Sequence, residues 1–297
     1  MSKIADRLRA RVLFAVTGAA DGRPDWVQQL ELGDDAGFFG PGSAAWAVHG
    51  GMPTFVAGIR ALLMQTLHPG AMAGVHDWSL YREDSLGRLS RTVRWLVTVT
   101  FSDTETAVRE SNRIDRLHER VIGSYPDAHG VAQPYAARDP GLLAWVHVVF
   151  TDAFLATHSI WGAPIPGGAD CYVLEWAKAG ELVGVDSPPR SSAELKAQLD
   201  GFKDAGILAS DERVTEAIRF IRDPGLRRSM MPAYRILFAG AVASLEPDYR
   251  RLLKLKRPWW PAITATRIAL WSIGLVLHGA SSSETAARKR LARLGLA

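Results

Sequence analysis

Cysteine is almost missing from this chain, with Cys171 alone in 297 residues. An internal disulfide framework, a cysteine-rich zinc site and covalent cofactor attachment through Cys-x-x-Cys-His are therefore excluded. Surplus charge is missing too. Lysine and arginine total 35 against 31 acidic residues, a net +4 that is too mild to point to a nucleic-acid partner. There is no Gly-x-Ser-x-Gly elbow, no phosphate loop ending in Gly-Lys-Ser/Thr, no Gly-x-Gly-x-x-Gly after a strand and no His-Glu-x-x-His. Apolar–polar alternation of period two is not found anywhere, so the fold class expected is all-α.

Long targeting or membrane runs are also scarce. The N-terminal stretch Val12–Val16 is shorter than the roughly 7–15 residues of a secretory h-region, and Asp6 interrupts its basic flank. Ile4, Leu8, Val12 and Val16 recur at i, i+4 and predict an amphipathic helix of a cytoplasmic protein. Residues 258–278 approach the ~20 residues of a span, but Arg267 lies mid-way and is costly in lipid. A buried or surface-docked helix is expected there, with interfacial membrane contact as the alternative.

What is present is a globular balance, 47% hydrophobic and 22% charged, with ten tryptophans scattered from Trp26 to Trp271. The rings suit a helical core, or in part the wall of a pocket for a flat, greasy ligand. One helical domain over 1–297 is expected, with an irregular lead-in at 1–53, a core at 54–245 and C-terminal helices at 246–297. Helices are predicted from Thr54 to about Gln65, near Met72–Trp78, over Gly87–Thr100, and from an Asp103 or Ser102 cap to about Gly123. A loop follows at Ser124–Tyr135, and Asp139-Pro140 starts another helix with proline just inside.

Of eight histidines, His118 carries most information, since it recurs with Ile114, Leu117 and Val121 on one helical face. A lone inward histidine is more often a core residue than a ligand. Its Nδ1–H can bond the Ile114 carbonyl or the Asp115 carboxylate, which leaves Nε2 as a metal donor. Arg88 and Thr92 share a face at i, i+4, while Arg91 diverges from Thr92. Solvent-facing arginines at a helix start are the plain reading, and an anion-anchoring pair is the functional one. His68 precedes Pro69 and can cap its helix; with His76 it makes only a weak metal pair. His147, with Thr151 at i+4, is expected to make a buried hydrogen bond rather than a metal bond.

Four stretches in order, GIRALLMQTLHPGAMAGVHDWS, GRLSRTVRWLVTVTFSD, RIDRLHERVIG and DPGLLAWVHVVFTDAF, resemble the haem family of latex-clearing proteins (rubber oxygenases) and MpaB-type oxygenases. The resemblance covers roughly residues 45–245. It implies haem b in a globin-like helical core, iron held by one helical histidine, and dioxygen and an apolar or aromatic small molecule as partners. The Arg-x-x-Lys-Thr motif of rubber oxygenases falls on Arg88, Arg91 and Thr92, and the proximal ligand on His118. Arg88 and Thr92 are thereby implied as haem-pocket residues, and His147 matches a histidine-bearing helix of the family. Arg91 stands where the family's lysine can close on iron, and guanidinium has no lone pair to give. That departure and the shorter chain argue against polyisoprene as substrate. His76, Asp77 and Glu83 fall near the family's distal glutamate. Turnover with dioxygen is the leading reading; a non-catalytic haem-binding or sensing protein and a helical lipid or terpenoid binder without haem are the alternatives.

Overall fold

Apolar residues at helical spacing, punctuated by Gly, Pro and short polar caps, build fourteen α-helices among the residues described by the computed structural model. Those residues are 10, 13–14, 24–78, 85–127, 130–277 and 281–296, with backbone alone at 85–90. Most of the N-terminal helix expected over residues 4–16, Glu83, the side chain of Arg88, His129 and His278 lie outside them.

The first half comprises α1 (Asp25–Gln28), α2 (Ala44–Gly50), α3 (Thr54–Gln65), α4 (Pro69–Trp78), α5 (Ser85–Phe101) and α6 (Thr104–His118). Two strands follow, β1 (Ile122–Pro126) and β2 (Ala132–Ala136), then α7 (Pro140–Trp161) and α8 (Gly168–Leu182). The remainder is α9 (Ser192–Asp204), α10 (Glu212–Arg222), α11 (Met231–Ser244), α12 (Pro247–Leu252), α13 (Ala262–Leu277) and α14 (Ser282–Arg293).

The centre is α3 laid along α7, with α11 and α8 on its flanks. Leu63, Met64, Trp145, Val148 and Trp176 are sealed there. Trp46 meets Phe101 edge-on at 5.0 Å and Trp145 meets Phe202 at 5.1 Å, so these tryptophans serve the core. One ion pair runs through the apolar interior. Arg60 on α3 is 2% exposed and bonds Asp152 on α7 at 2.5 Å, and it also donates to the Ser244 carbonyl.

The expected loop at Ser124–Tyr135 is instead an antiparallel hairpin, with Ile122 opposite Ala136 and Tyr125 opposite Gln133. Period-two patterning fails to reveal it because both strands are mostly exposed, and of their ten residues Tyr135 alone is buried. With two strands, every strand is an edge, so Pro126 and Pro134 cost no central ladder bond. Asp127 closes the turn by accepting from Val131 N at 3.0 Å and Gln133 Nε2 at 3.0 Å. The same hairpin shortens α6. Val121 N donates to the His118 carbonyl at 3.0 Å and Ala137 N to the Val121 carbonyl at 2.8 Å, which draws the chain into β1 before the helix can reach Gly123.

Residues 24–53 contribute α1, α2 and the buried side chains Val27, Leu30, Phe39, Trp46 and Val48. Arg290 of α14, fully buried, donates to the carbonyls of Leu30 at 2.8 Å, Phe101 at 2.9 Å and Ala36 at 3.3 Å. Gly37, at φ 80°, passes so close that a Cβ would stand 2.0 Å from the Ser102 carbonyl oxygen. No other residue fits that approach to the α5–α6 turn.

Candidate functional site

Helices α5 and α6 form an antiparallel pair around the turn at Ser102-Asp103. Asp103 is the cap, its carboxylate accepting from Thr106 N at 3.3 Å, a device worth about 1 kcal/mol. Two contacts set the register. Trp95 Nε1 donates to Ser111 Oγ at 3.2 Å, and Arg94 Nη2 to Glu110 Oε2 at 3.1 Å. Glu110 is buried and is also gripped by Arg113 at 2.7 and 3.0 Å.

Helical spacing puts the backbone positions of Arg88, Thr92, Trp95 and Val99 on one stripe of α5. Ala107, Ser111, Ile114 and His118 form the matching stripe of α6. Because Trp95 meets Ser111, the two stripes face one another. The antiparallel register then sets Thr92 at the level of Ile114 and Arg88 at the level of His118. Thr92 is half-buried and Arg91 exposed, consistent with their divergence by one residue.

His118 ends α6 half-buried. Leu117, expected on the same inward face, is instead exposed. The hydrogen bonds anticipated for Nδ1 are not made. Both oxygens of Asp115 accept from Arg138, at 2.8 Å from Nε and 2.7 Å from Nη2, and Arg138 Nη1 reaches Glu119 at 3.2 Å. Arg138, just beyond β2, thus brackets the last turn of α6 between carboxylates three residues before and one after His118. Burial pushes the imidazole below its ordinary pKa; Asp115 opposes this and Arg138 assists it. The ring stays neutral at pH 7, and among the described residues neither nitrogen has a hydrogen-bond partner.

The other histidines are held elsewhere. His68 caps the following helix, its Nδ1 accepting from Gly70 N at 3.2 Å, and burial lowers it to about 4. His76 lies between carboxylates, Nδ1 at 3.0 Å from Asp77 and Nε2 at 3.6 Å from Glu216. Asp77 in turn accepts from the Tyr135 hydroxyl at 3.0 Å, which ties α4 to the hairpin. His147 sits inside α7 against α8, where a Cβ on Gly180 would lie 2.9 Å from its ring. The hydrogen bond expected of it is missing at Nε2, which is buried and unpartnered; burial lowers its pKa to about 4. Among the described residues no contact joins His147 or His76 to His118.

Three features escaped the sequence reading. The Arg60–Asp152 pair is signalled only by a charge within each of two apolar helices. The Arg138 bracket joins segments with no shared periodicity. His49 and His158 form a buried pair: His49 Nε2 meets the Tyr172 hydroxyl at 3.2 Å and His158 Nε2 the Ala163 carbonyl at 2.9 Å. Both Nδ1 atoms are buried without partners. A separate groove of about 470 Å³, lined by Pro140, Ala144, Val185, Gln198, Phe202 and Ile207 among others, contains none of the candidate residues.

The donor set accords with haem rather than with a polydentate metal site. Among the described residues no cluster of three or more His, Cys, Asp or Glu side chains could hold an ion. His118, a neutral helical imidazole, offers the one nitrogen that axial ligation requires. The partner that usually orients the second nitrogen of such a ligand is absent among the described residues, and His147 Nε2 is likewise unengaged. Against known proteins, the family model described as ER-bound oxygenase mpaB/B′/rubber oxygenase, catalytic domain, matches residues 46–277. No curated protein and no solved structure matches the chain.

Proposed function

The chain belongs to the mpaB/B′ and rubber oxygenase catalytic-domain family, and from that premise we propose a haem b-dependent oxygenase that uses dioxygen on an apolar or aromatic small molecule. The observation that carries the reading is the facing pair of stripes fixed by Trp95 on Ser111, a register that puts backbone position 88 level with His118. His118 would hold the iron, and the helical pair would seat the haem in globin-like fashion. Haem bound there supplies the oxidative chemistry with dioxygen.

The protein's own contributions follow from the geometry. His118 is kept neutral by burial, so its lone pair is free at physiological pH. Arg138 occupies both oxygens of Asp115, so that carboxylate accepts no hydrogen bond from the ring, which would leave His118 a weakly polarised donor rather than one driven toward imidazolate. Arg88 and Thr92, a cation and a hydroxyl on one stripe, suit a propionate or developing negative charge. Trp95 and Val99 extend that stripe with apolar surface that excludes water. Arg91 diverges from it and stays protonated, so it cannot replace a metal-binding lysine.

The test is spectroscopic. Protein produced with haem supplied should carry about one haem b per chain and a Soret band, and His118→Ala should lose most of both. An alanine variant with an unaltered iron spectrum would reduce His118 to a helix-end core residue. Product formation from an apolar substrate under dioxygen separates an oxygenase from a haem-binding protein without turnover.

A further inference from the structure

Helix α13 is docked by one face and bare on the other. Ala262, Thr266 and Leu270 are buried at four-residue spacing. Thr266 Oγ1 donates to the Ile236 carbonyl at 3.1 Å, and its side chain fills the space a Cβ on Gly240 would need. Trp161 Nε1 fixes the helix start by donating to the Ile263 carbonyl at 3.0 Å. The opposite stripe is Thr264, Ile268, Trp271 and Leu275, at i, i+4, i+7 and i+11, with Ile268 60%, Trp271 66% and Leu275 57% exposed. Trp259, just ahead of the helix, is 95% exposed. Large apolar side chains massed in this way mark a binding surface.

Charge identifies what binds. No acidic residue occurs between Asp248 and Glu284, while Arg250, Arg251, Lys254, Lys256, Arg257 and Arg267 do. Lys254, Lys256 and Arg257 are exposed and, among the described residues, make no ion pair. We propose that this segment docks the protein on an anionic lipid bilayer, with α13 lying in the interface, Trp259 and Trp271 at headgroup depth and Lys254–Arg257 against lipid phosphates. Exposed indoles prefer that depth, and basic residues flanking an apolar face are the mark of interfacial helices. A second copy of the chain would bring the same cations face to face, which disfavours self-association. Crossing the bilayer is disfavoured as well. Sixteen residues span about 24 Å, short of a ~30 Å hydrocarbon core. Arg267, mid-helix, is fixed to the Ile160 carbonyl at 2.7 Å.

The full chain is sedimented with vesicles of phosphatidylcholine alone or mixed with phosphatidylglycerol. Binding to the anionic vesicles should exceed that to neutral ones by about tenfold or more and fall with salt. Lys254→Glu with Lys256→Glu should remove that preference, and Trp271→Glu should weaken partition to both. All three positions are exposed, so helix content and melting temperature serve as controls for folding. The proposal is overturned by equal sedimentation with both vesicles, or by binding that Trp271→Glu leaves intact. A dimer that Trp271→Glu disperses, with no vesicle partition, overturns it in favour of a second copy.

Discussion

Arg138 holds Asp115 through two parallel hydrogen bonds, 2.8 Å from Nε and 2.7 Å from Nη2, one helical turn from the imidazole of His118. The fork takes both carboxylate oxygens, so the acidic residue best placed to polarise His118 faces a guanidinium instead. Burial first, and the Arg138 charge with it, lowers the His118 pKa. In haem-free protein, Arg138→Gln should therefore raise that pKa toward the ordinary histidine value, read from imidazole NMR shifts against pH. The melting temperature should barely move, because a solvent-exposed pair contributes little. An unmoved His118 titration would remove Arg138 from the positioning of the ring.

The distal side should be open at rest. His68 is spent on Gly70 N and His76 on two carboxylates, so neither is poised to reach iron, and Arg91 cannot ligate it. Ferric protein should be high-spin or mixed by electron paramagnetic resonance and bind cyanide readily. Arg91→Lys should add a low-spin component. A purely low-spin wild type that turns high-spin in His68→Ala or His76→Ala contradicts this arrangement and favours the non-catalytic alternative.

Asp152→Ala strands Arg60, which is 2% exposed, without its carboxylate. Breaking a buried pair from one side costs about 3–5 kcal/mol, so the urea midpoint should fall steeply. Replacing both partners, Arg60→Met with Asp152→Leu, should recover much of the loss. Equal destabilisation by the single and double variants would show that the apolar packing, and not the stranded charge, sets the cost.

Acid should destabilise the fold earlier than carboxylate protonation alone would. Burial lowers His49 to about 3, and His68 and His147 to about 4. Above about pH 6.5 neither folded nor unfolded chain protonates these rings, and no penalty arises. Between there and pH 4 the unfolded chain takes up protons that the folded chain refuses. Stability then falls as pH falls, by up to about 1.4 kcal/mol per unit for each such histidine. Urea unfolding at pH 7 and pH 5 should show a clear drop; a flat or rising stability would contradict the neutral buried histidines.

Local signals were legible before the structure. Asp103 before a helical run and Pro140 at a helix start both sit where their chemistry demands. The i, i+4 pairing of Arg88 with Thr92 and of Ile114 with His118 was legible too, although Leu117, read onto the same face, is exposed. What could not be read was which stripes meet. The α5–α6 register depends on Trp95 finding Ser111, and the bracket on Arg138 reaching back across the hairpin to Asp115. The hairpin itself stayed hidden because it buries a single side chain, Tyr135, and is held by backbone pairing and Asp77.

Arg290 has a consequence for the order in which this protein matures. Its guanidinium spans the carbonyls of Leu30, Ala36 and Phe101, and so cements the turn from which α5 and α6 diverge. During synthesis those two helices leave the ribosome long before residue 290 is made. Until then the carbonyls of Leu30, Ala36 and Phe101 lack the guanidinium that joins them in the finished fold. The last helix is thus a late fastener: it ties the segment ahead of α2 to the end of α5 from far along the sequence, and that tie can form only after every other helix is already present.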